Sequence, residues 1–311
     1  MKNIVIAIVA LLLIGGGLYF FTQQVSYEKP EEVTPTVGQE VDEITEPTEN
    51  EKTTIGVPAT EEVTDETKTV IGTSAGGNEI TAYHFGDGEE EILFIGGIHA
   101  GYSWNTVLLA YELIDYLDVP TNVPEGVKVT VIPTLNPDGQ LATVGTTGQF
   151  TAAAAPKSTT DTVEGRFNGN GVDLNRNFDC QWQAEGVWQN KKVSGGTAAF
   201  SEPEAAALRD YVANNKPTAV VAYYAAAGGV YASTCNGAPS VDTTALMNTY
   251  AAASDYPAYK EFDFYEVTGD MVNWFAGQGV PAVSVLLSDR TGVEWAKNQK
   301  GIKAVLDSYA R

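Results

Sequence analysis

Ile92-Leu93-Phe94-Ile95-Gly96-Gly97-Ile98-His99 is the stretch whose reading decides the fold. Unbroken apolar residues mark a strand buried on both faces, as strands of parallel sheets are. The run breaks at a Gly-Gly turn and ends on His99, one of only two histidines in the chain; His84 is the other. In open α/β sheets, reactive side chains gather at the carboxyl ends of the parallel strands. His99 is therefore the candidate centre of a site, and what stands near it decides the chemistry.

Outward from this strand, strand and helix patterns alternate. Residues 69–72 and 79–84 read as strands, the second with period two. Asp87-Gly88 reads as a hairpin-type turn into the strand at 91–95. From 104 to 118, Val107, Leu108, Tyr111, Leu113, Ile114 and Leu117 fall at helical spacing. Residues 127–133 form another buried strand. Ser201-Glu202-Pro203-Glu204 reads as a capping box, with Ser201 as N-cap and Glu204 at N3, opening a helix that runs to about Asn214. Residues 218–224 and 282–287 read as strands, and Ile302, Val305, Leu306 and Tyr309 mark a C-terminal helix. His84, in an alternating strand, is expected to face solvent, and Asp138 in Asn-Pro-Asp-Gly to be a turn residue. The pattern predicts an α/β domain over residues 68–311, with a mixed, largely parallel central sheet and helices on both faces.

The net charge of −22 argues against nucleic-acid binding, which needs a basic face. Half of that charge lies in residues 28–66, which hold 13 Asp/Glu against 2 Lys. Residues 23–67 are rich in Glu, Thr, Pro and Val and show no structural period, so they read as a disordered, self-repelling acidic linker. Before it, residues 4–21 carry no charge. As a helix they would span roughly 27 Å, close to the hydrocarbon core of a bilayer. With Lys2 in front and no clean cleavage site behind, residues 1–22 read as an uncleaved signal anchor that leaves the domain outside the cytoplasm. A cleaved signal peptide is the alternative. The two cysteines, Cys180 and Cys235, both fall in the exported part and are expected to pair as a disulfide.

Five segments together resemble the zinc carboxypeptidases of the M14 family. They are Gly96-Gly97-Ile98-His99, Leu135-Asn136-Pro137-Asp138-Gly139, Gly171-Val172-Asp173-Leu174-Asn175-Arg176-Asn177-Phe178, Ser201-Glu202-Pro203-Glu204 and Tyr265-Glu266-Val267-Thr268-Gly269-Asp270. The resemblance covers about residues 70–311. It implies a zinc ion held by two His and one Glu with water in the open position, and a second Glu that takes the proton from that water. By the same resemblance, His99 matches the first zinc ligand and Asp173 the carboxylate that orients it. Arg166 matches the arginine that steadies the oxyanion. Asn175 and Arg176 match the clamp on the substrate's terminal carboxylate, and Tyr265 the tyrosine that closes over the substrate.

The rest of the centre is replaced. The metal-binding Glu falls at Tyr102 or Ser103; Ser103 is favoured because the helix begins just after it. The second zinc His falls on Tyr224, and the general base on Leu286. A phenol stays protonated at neutral pH, leucine accepts no proton, and one imidazole makes no zinc site. The expectation is a catalytically impaired pseudoenzyme that retains a groove for peptide C-termini, cell-wall peptides among them. No cofactor is expected to bind tightly; zinc enters through the resemblance alone. The alternative is an active zinc carboxypeptidase using ligands such as Asp173 or Tyr224. A serine hydrolase would need His99 and Asp173 with Ser103 or Ser284.

Overall fold

The computed structural model describes residues 67–310. The expected anchor and nearly all of the expected linker lie outside the described residues. Among the described residues, no helix is long and apolar enough to cross a membrane. In chain order the elements are β1 (Lys68–Thr73), β2 (Glu79–Phe85), β3 (Glu90–Ile95), α1 (Asn105–Leu117), β4 (Val127–Ile132), α2 (Pro137–Val144), β5 (Glu185–Trp188), β6 (Lys191–Ser194), α3 (Pro203–Asn215), β7 (Ala219–Ala225), β8 (Gly229–Ala232), α4 (Val241–Ser254), β9 (Ala258–Tyr259), α5 (Met271–Gly277), β10 (Ala282–Leu287) and α6 (Trp295–Tyr309), with short 3-10 turns between some of them.

Eight strands form one sheet in the order β1-β2-β4-β3-β7-β10-β8-β9, while β5 and β6 make a separate hairpin. The central strands β4, β3, β7 and β10 are parallel; the pairs β1/β2, β2/β4 and β10/β8 are antiparallel. This is the mixed, largely parallel sheet expected. Alternation along each strand sorts side chains into two cores. Ile92, Phe94, Val221, Tyr223, Val283 and Val285 pack on one face with residues of α1, α4 and α6. Leu93, Ile95, Val220, Ala222 and Ala282 pack on the other with residues of α3 and α5. Tyr224 and Leu286 belong to this second face and are register partners across β7 and β10. Alternation along each strand and the register of β7 on β10 together bring these two positions side by side.

Four local expectations are corrected. Asp87-Gly88 is not a hairpin turn: β2 and β3 do not pair, because β4 lies between them and bonds to both. Nor is Ser201 a helix N-cap. Glu202 holds that position without a side-chain cap bond, and Ser201 Oγ donates to Glu202 and accepts from Asn177 and from the Thr197 amide instead. Glu204 turns away from the helix start to accept from the Ala75 amide and Asn168. His84 is half-buried, its ring between Thr69 and Thr130 at 2.9 and 3.1 Å and stacked on Tyr211 of α3, because that helix covers the strand. Asp138 is more than a turn residue. It sits in the first turn of α2, behind the N-cap Asn136, and accepts from Ser74, Asn78 and the amides of Gly76 and Gly169, tying two loops together. Cys180 and Cys235 are joined as a disulfide.

Candidate functional site

A cleft of about 1090 Å³ is lined by His99, Arg166, Asn175, Arg176, Tyr224 and Leu286, among others. It opens past the carboxyl ends of β3, β7 and β10, where a parallel sheet presents its loops. His99 reaches it because β3 ends in a tight turn. Gly97 sits at φ +58, and a Cβ there would fall 2.8 Å from Thr134 Cα, so only glycine fits without strain. Tyr265 also lines the cleft. Two predicted residues do not. Asp173 lies fully buried behind His99. Ser103 is buried too, with its amide bonded to the His99 carbonyl and its own carbonyl taking the Thr106 hydroxyl. Of the two positions weighed for the carboxylate ligand, Tyr102 is the one whose ring meets the site's arginines.

In the cleft wall, His99 and Arg166 form a buried triangle with Asp173 behind them. His99 Nε2 donates to Asp173 Oδ1 at 2.8 Å, and Arg166 binds Asp173 Oδ2 through Nε (2.9 Å) and Nη2 (2.7 Å). The third side is Arg166 Nη1 to His99 Nδ1, 3.4 Å. Burial lowers the His99 pKa to about 4, and the Arg166 charge adds to this against the pull of Asp173. The ring is therefore neutral at pH 7. Because Asp173 only accepts, the proton is on Nε2 and the Nδ1 lone pair faces the guanidinium. Burial pushes the Asp173 carboxyl up, but the Arg166 charge and the hydrogen bond from His99 outweigh it and hold it well below the usual carboxylate range.

The expected clamp is built differently from its sequence reading. Asn175 is tied on three sides. Its Nδ2 donates to Asp270 at 2.7 Å, and its Oδ1 accepts from the Tyr224 hydroxyl (3.1 Å) and the Met271 amide (3.2 Å). Arg176 is 1 % exposed. Its Nε and Nη2 donate to the Val187 carbonyl, and its Nη1 to the Asn175 carbonyl. Val187 belongs to β5, so the hairpin of β5 and β6 caps this arginine. Trp188 of the same hairpin lies 4.4 Å over the Arg166 guanidinium and packs edge-on against Tyr102. Tyr265 packs on Phe262 and stands 5.9 Å from Arg176.

A zinc ion does not fit this donor set. The Nδ1 lone pair of His99 already faces a cation. Burial lifts the Tyr224 phenol well above its ordinary pKa, so it stays protonated. Leu286 offers no donor. Among the described residues, no cluster of three or more His, Cys, Asp or Glu is placed to hold a metal ion. A serine nucleophile finds no support either. Gly72-Thr73-Ser74-Ala75-Gly76 has the Gly-x-Ser-x-Gly spacing of a nucleophile elbow. However, Ser74 follows β1 in the turn to β2, and its hydroxyl donates to Asp138.

Sequence reasoning missed Trp188, Asp270 and Arg290, all of which line the cleft. Arg290 could have been found, since it follows the end of β10 as His99 follows β3. Trp188 could not, because nothing in residues 185–194 says where the hairpin docks.

Comparison with known proteins shows where this architecture recurs. The Peptidase M14 family model, described as zinc carboxypeptidase, matches residues 60–306. A curated protein, gamma-D-glutamyl-L-diamino acid endopeptidase 1 of Lysinibacillus sphaericus, is 24 % identical over 228 residues, which are 67 % of this chain and 56 % of that protein. The chain thus spans little more than half of that relative's length. Among solved structures, murein-tripeptide amidase MpaA from Escherichia coli O157 aligns with a TM-score of 0.55 at 19 % identity, covering 76 % of this chain and 90 % of the other. Carboxypeptidase A from Helicoverpa armigera aligns with a TM-score of 0.60 at 20 % identity, covering 78 % and 68 %.

Proposed function

This chain belongs to the zinc carboxypeptidase family, and from that premise we propose that it is a peptide-binding protein that has given up the family's hydrolytic chemistry. One observation carries the reading: the Arg166 guanidinium stands 3.4 Å from His99 Nδ1, the nitrogen left over once Nε2 is bonded to Asp173. A fixed internal cation faces the imidazole where the family resemblance calls for a metal, and Tyr224 and Leu286 supply neither a ligand nor a base. The cleft remains, with arginines in its wall suited to carboxylates. The names of the relatives, a gamma-D-glutamyl-L-diamino acid endopeptidase and a murein-tripeptide amidase, favour cell-wall peptides as ligands. A membrane anchor in residues 1–22 would hold the domain outside the cytoplasm, and the disulfide between Cys180 and Cys235 supports an oxidising compartment.

The deciding measurement is the zinc content of protein purified without chelator, together with an assay for release of C-terminal residues and for cleavage of γ-D-glutamyl-L-lysine. The expected result is substoichiometric zinc, no turnover, and binding of the intact peptide by calorimetry. Stoichiometric zinc with chelator-sensitive hydrolysis would sink the reading and restore the metallocarboxypeptidase.

A further inference from the structure

Three arginines line the cleft, and they are not equally free. Arg166 is spent on Asp173, and Arg176 is enclosed by the carbonyls of Val187 and Asn175. Arg290 has neither kind of partner. Among the described residues it forms no ion pair, and its Nε is buried without a hydrogen-bond acceptor. A desolvated donor of this kind lowers stability unless something accepts from it. Its guanidinium packs 4.4 Å over the Tyr102 ring. A ring contact of this kind takes up none of the guanidinium N–H groups as hydrogen-bond donors, and a planar anion can accept from them.

The loop that carries Arg290 is held in place. The Asn105 amide, fully buried in α1, donates to the carbonyls of Asp289 (2.9 Å) and Gly292 (2.8 Å), on either side of the arginine. The two acids nearest to it in sequence are engaged elsewhere. Asp289 closes its own turn by accepting from the amides of Thr291 and Gly292 and from the Thr291 hydroxyl. Glu294 accepts from Ser288 and from the Tyr256 hydroxyl. Arg290 is thus held by a fixed loop, with its Nε desolvated and no ion pair among the described residues, although the cleft wall also carries Glu261, Asp263 and Glu266.

We propose that Arg290, seated on Tyr102, binds the free carboxylate of the peptide ligand, in place of the enclosed Arg176. The inference rests on the peptide-binding reading above. It assigns Tyr102 a use as well: the ring at a position weighed for a metal-binding Glu serves as the platform for the arginine that recognises the ligand.

Calorimetric titration with γ-D-glutamyl-L-lysine, which carries two free carboxylates, and with its bis-amide tests this on wild type, Arg290→Gln, Arg290→Lys and Tyr102→Leu, each checked by circular dichroism to be folded at the temperature of the titration. Wild type is expected to prefer the free acid. Arg290→Gln weakens the free acid on the order of ten- to a hundredfold, the worth of a charged hydrogen bond, and leaves bis-amide affinity as it was. Arg290→Lys keeps part of the preference, and Tyr102→Leu loses part of it. Should Arg290→Gln bind the free acid as tightly as wild type, or should wild type bind acid and bis-amide equally, the assignment of Arg290 falls while a peptide-binding cleft stands. Wild type that binds neither peptide overturns the peptide-binding reading, and this assignment with it.

Discussion

At the scale of single residues, His99 stands where the family resemblance puts a zinc ligand, and both of its ring nitrogens meet groups of the protein itself. The ring's two nitrogens are both satisfied, one by a carboxylate and one by a guanidinium. That pairing needs a neutral imidazole, and the lowered pKa of about 4 supplies it. The consequence for stability has a definite sign. The unfolded ring takes a proton near pH 6.5 and the folded ring only near pH 4. Between those values the unfolded state binds more protons, so stability falls as pH falls through that window and then levels off. Two and a half pKa units correspond to about 3 kcal/mol. In metal-free buffer, urea midpoints at pH 7 and pH 4.5 should therefore differ more for wild type than for His99→Gln. Equal differences would mean that His99 is not buried in this form.

At the scale of elements, the hairpin of β5 and β6 does what no catalytic residue of the resemblance does: it covers the arginines. Trp188 is 5 % exposed and touches Arg166, Tyr102 and Phe167. Gly186 passes so close that a Cβ there would lie 2.8 Å from Arg176 Cδ. Truncating a buried tryptophan removes packing and leaves a cavity, at a cost of about 3–5 kcal/mol. Trp188→Ala should show a loss of that size in denaturant unfolding. A loss under about 1 kcal/mol would mean that the hairpin is not seated on the arginines. The central strands were easier to read. Four apolar residues in β3 and the runs in β7 and β10 announce burial on both faces, and the observed parallel block follows. The capping box misled because Ser201 and Glu204 are drawn into tertiary bonds with Asn177 and Asn168, which outweigh the local cap.

At the scale of the whole molecule, charge and apolar length describe two dissimilar regions. Residues 4–21 are uncharged, and half the net charge of −22 lies between residues 28 and 66. As a helix, an apolar run of that length would be long enough to cross a bilayer. Full-length protein should partition into the membrane fraction, and a chain beginning at residue 23 should not. Full-length protein found wholly in the soluble fraction would rule the anchor out. The disulfide joining Cys180 to Cys235 spans 55 residues.

By itself the sequence determined the alternation of strands and helices, the paired cysteines, the place of His99 at a strand end and the residue types, Ser103, Tyr224 and Leu286, set against the family's ligands and base. All of these depend on residue type, period or spacing along the chain. Tertiary structure alone decided which groups meet across the fold: that Arg166 faces the free nitrogen of His99, that a hairpin encloses Arg176, and that Tyr102 carries Arg290. A guanidinium on a long flexible stem can pair with a carboxylate, a carbonyl or an aromatic face, and only packing selects among them.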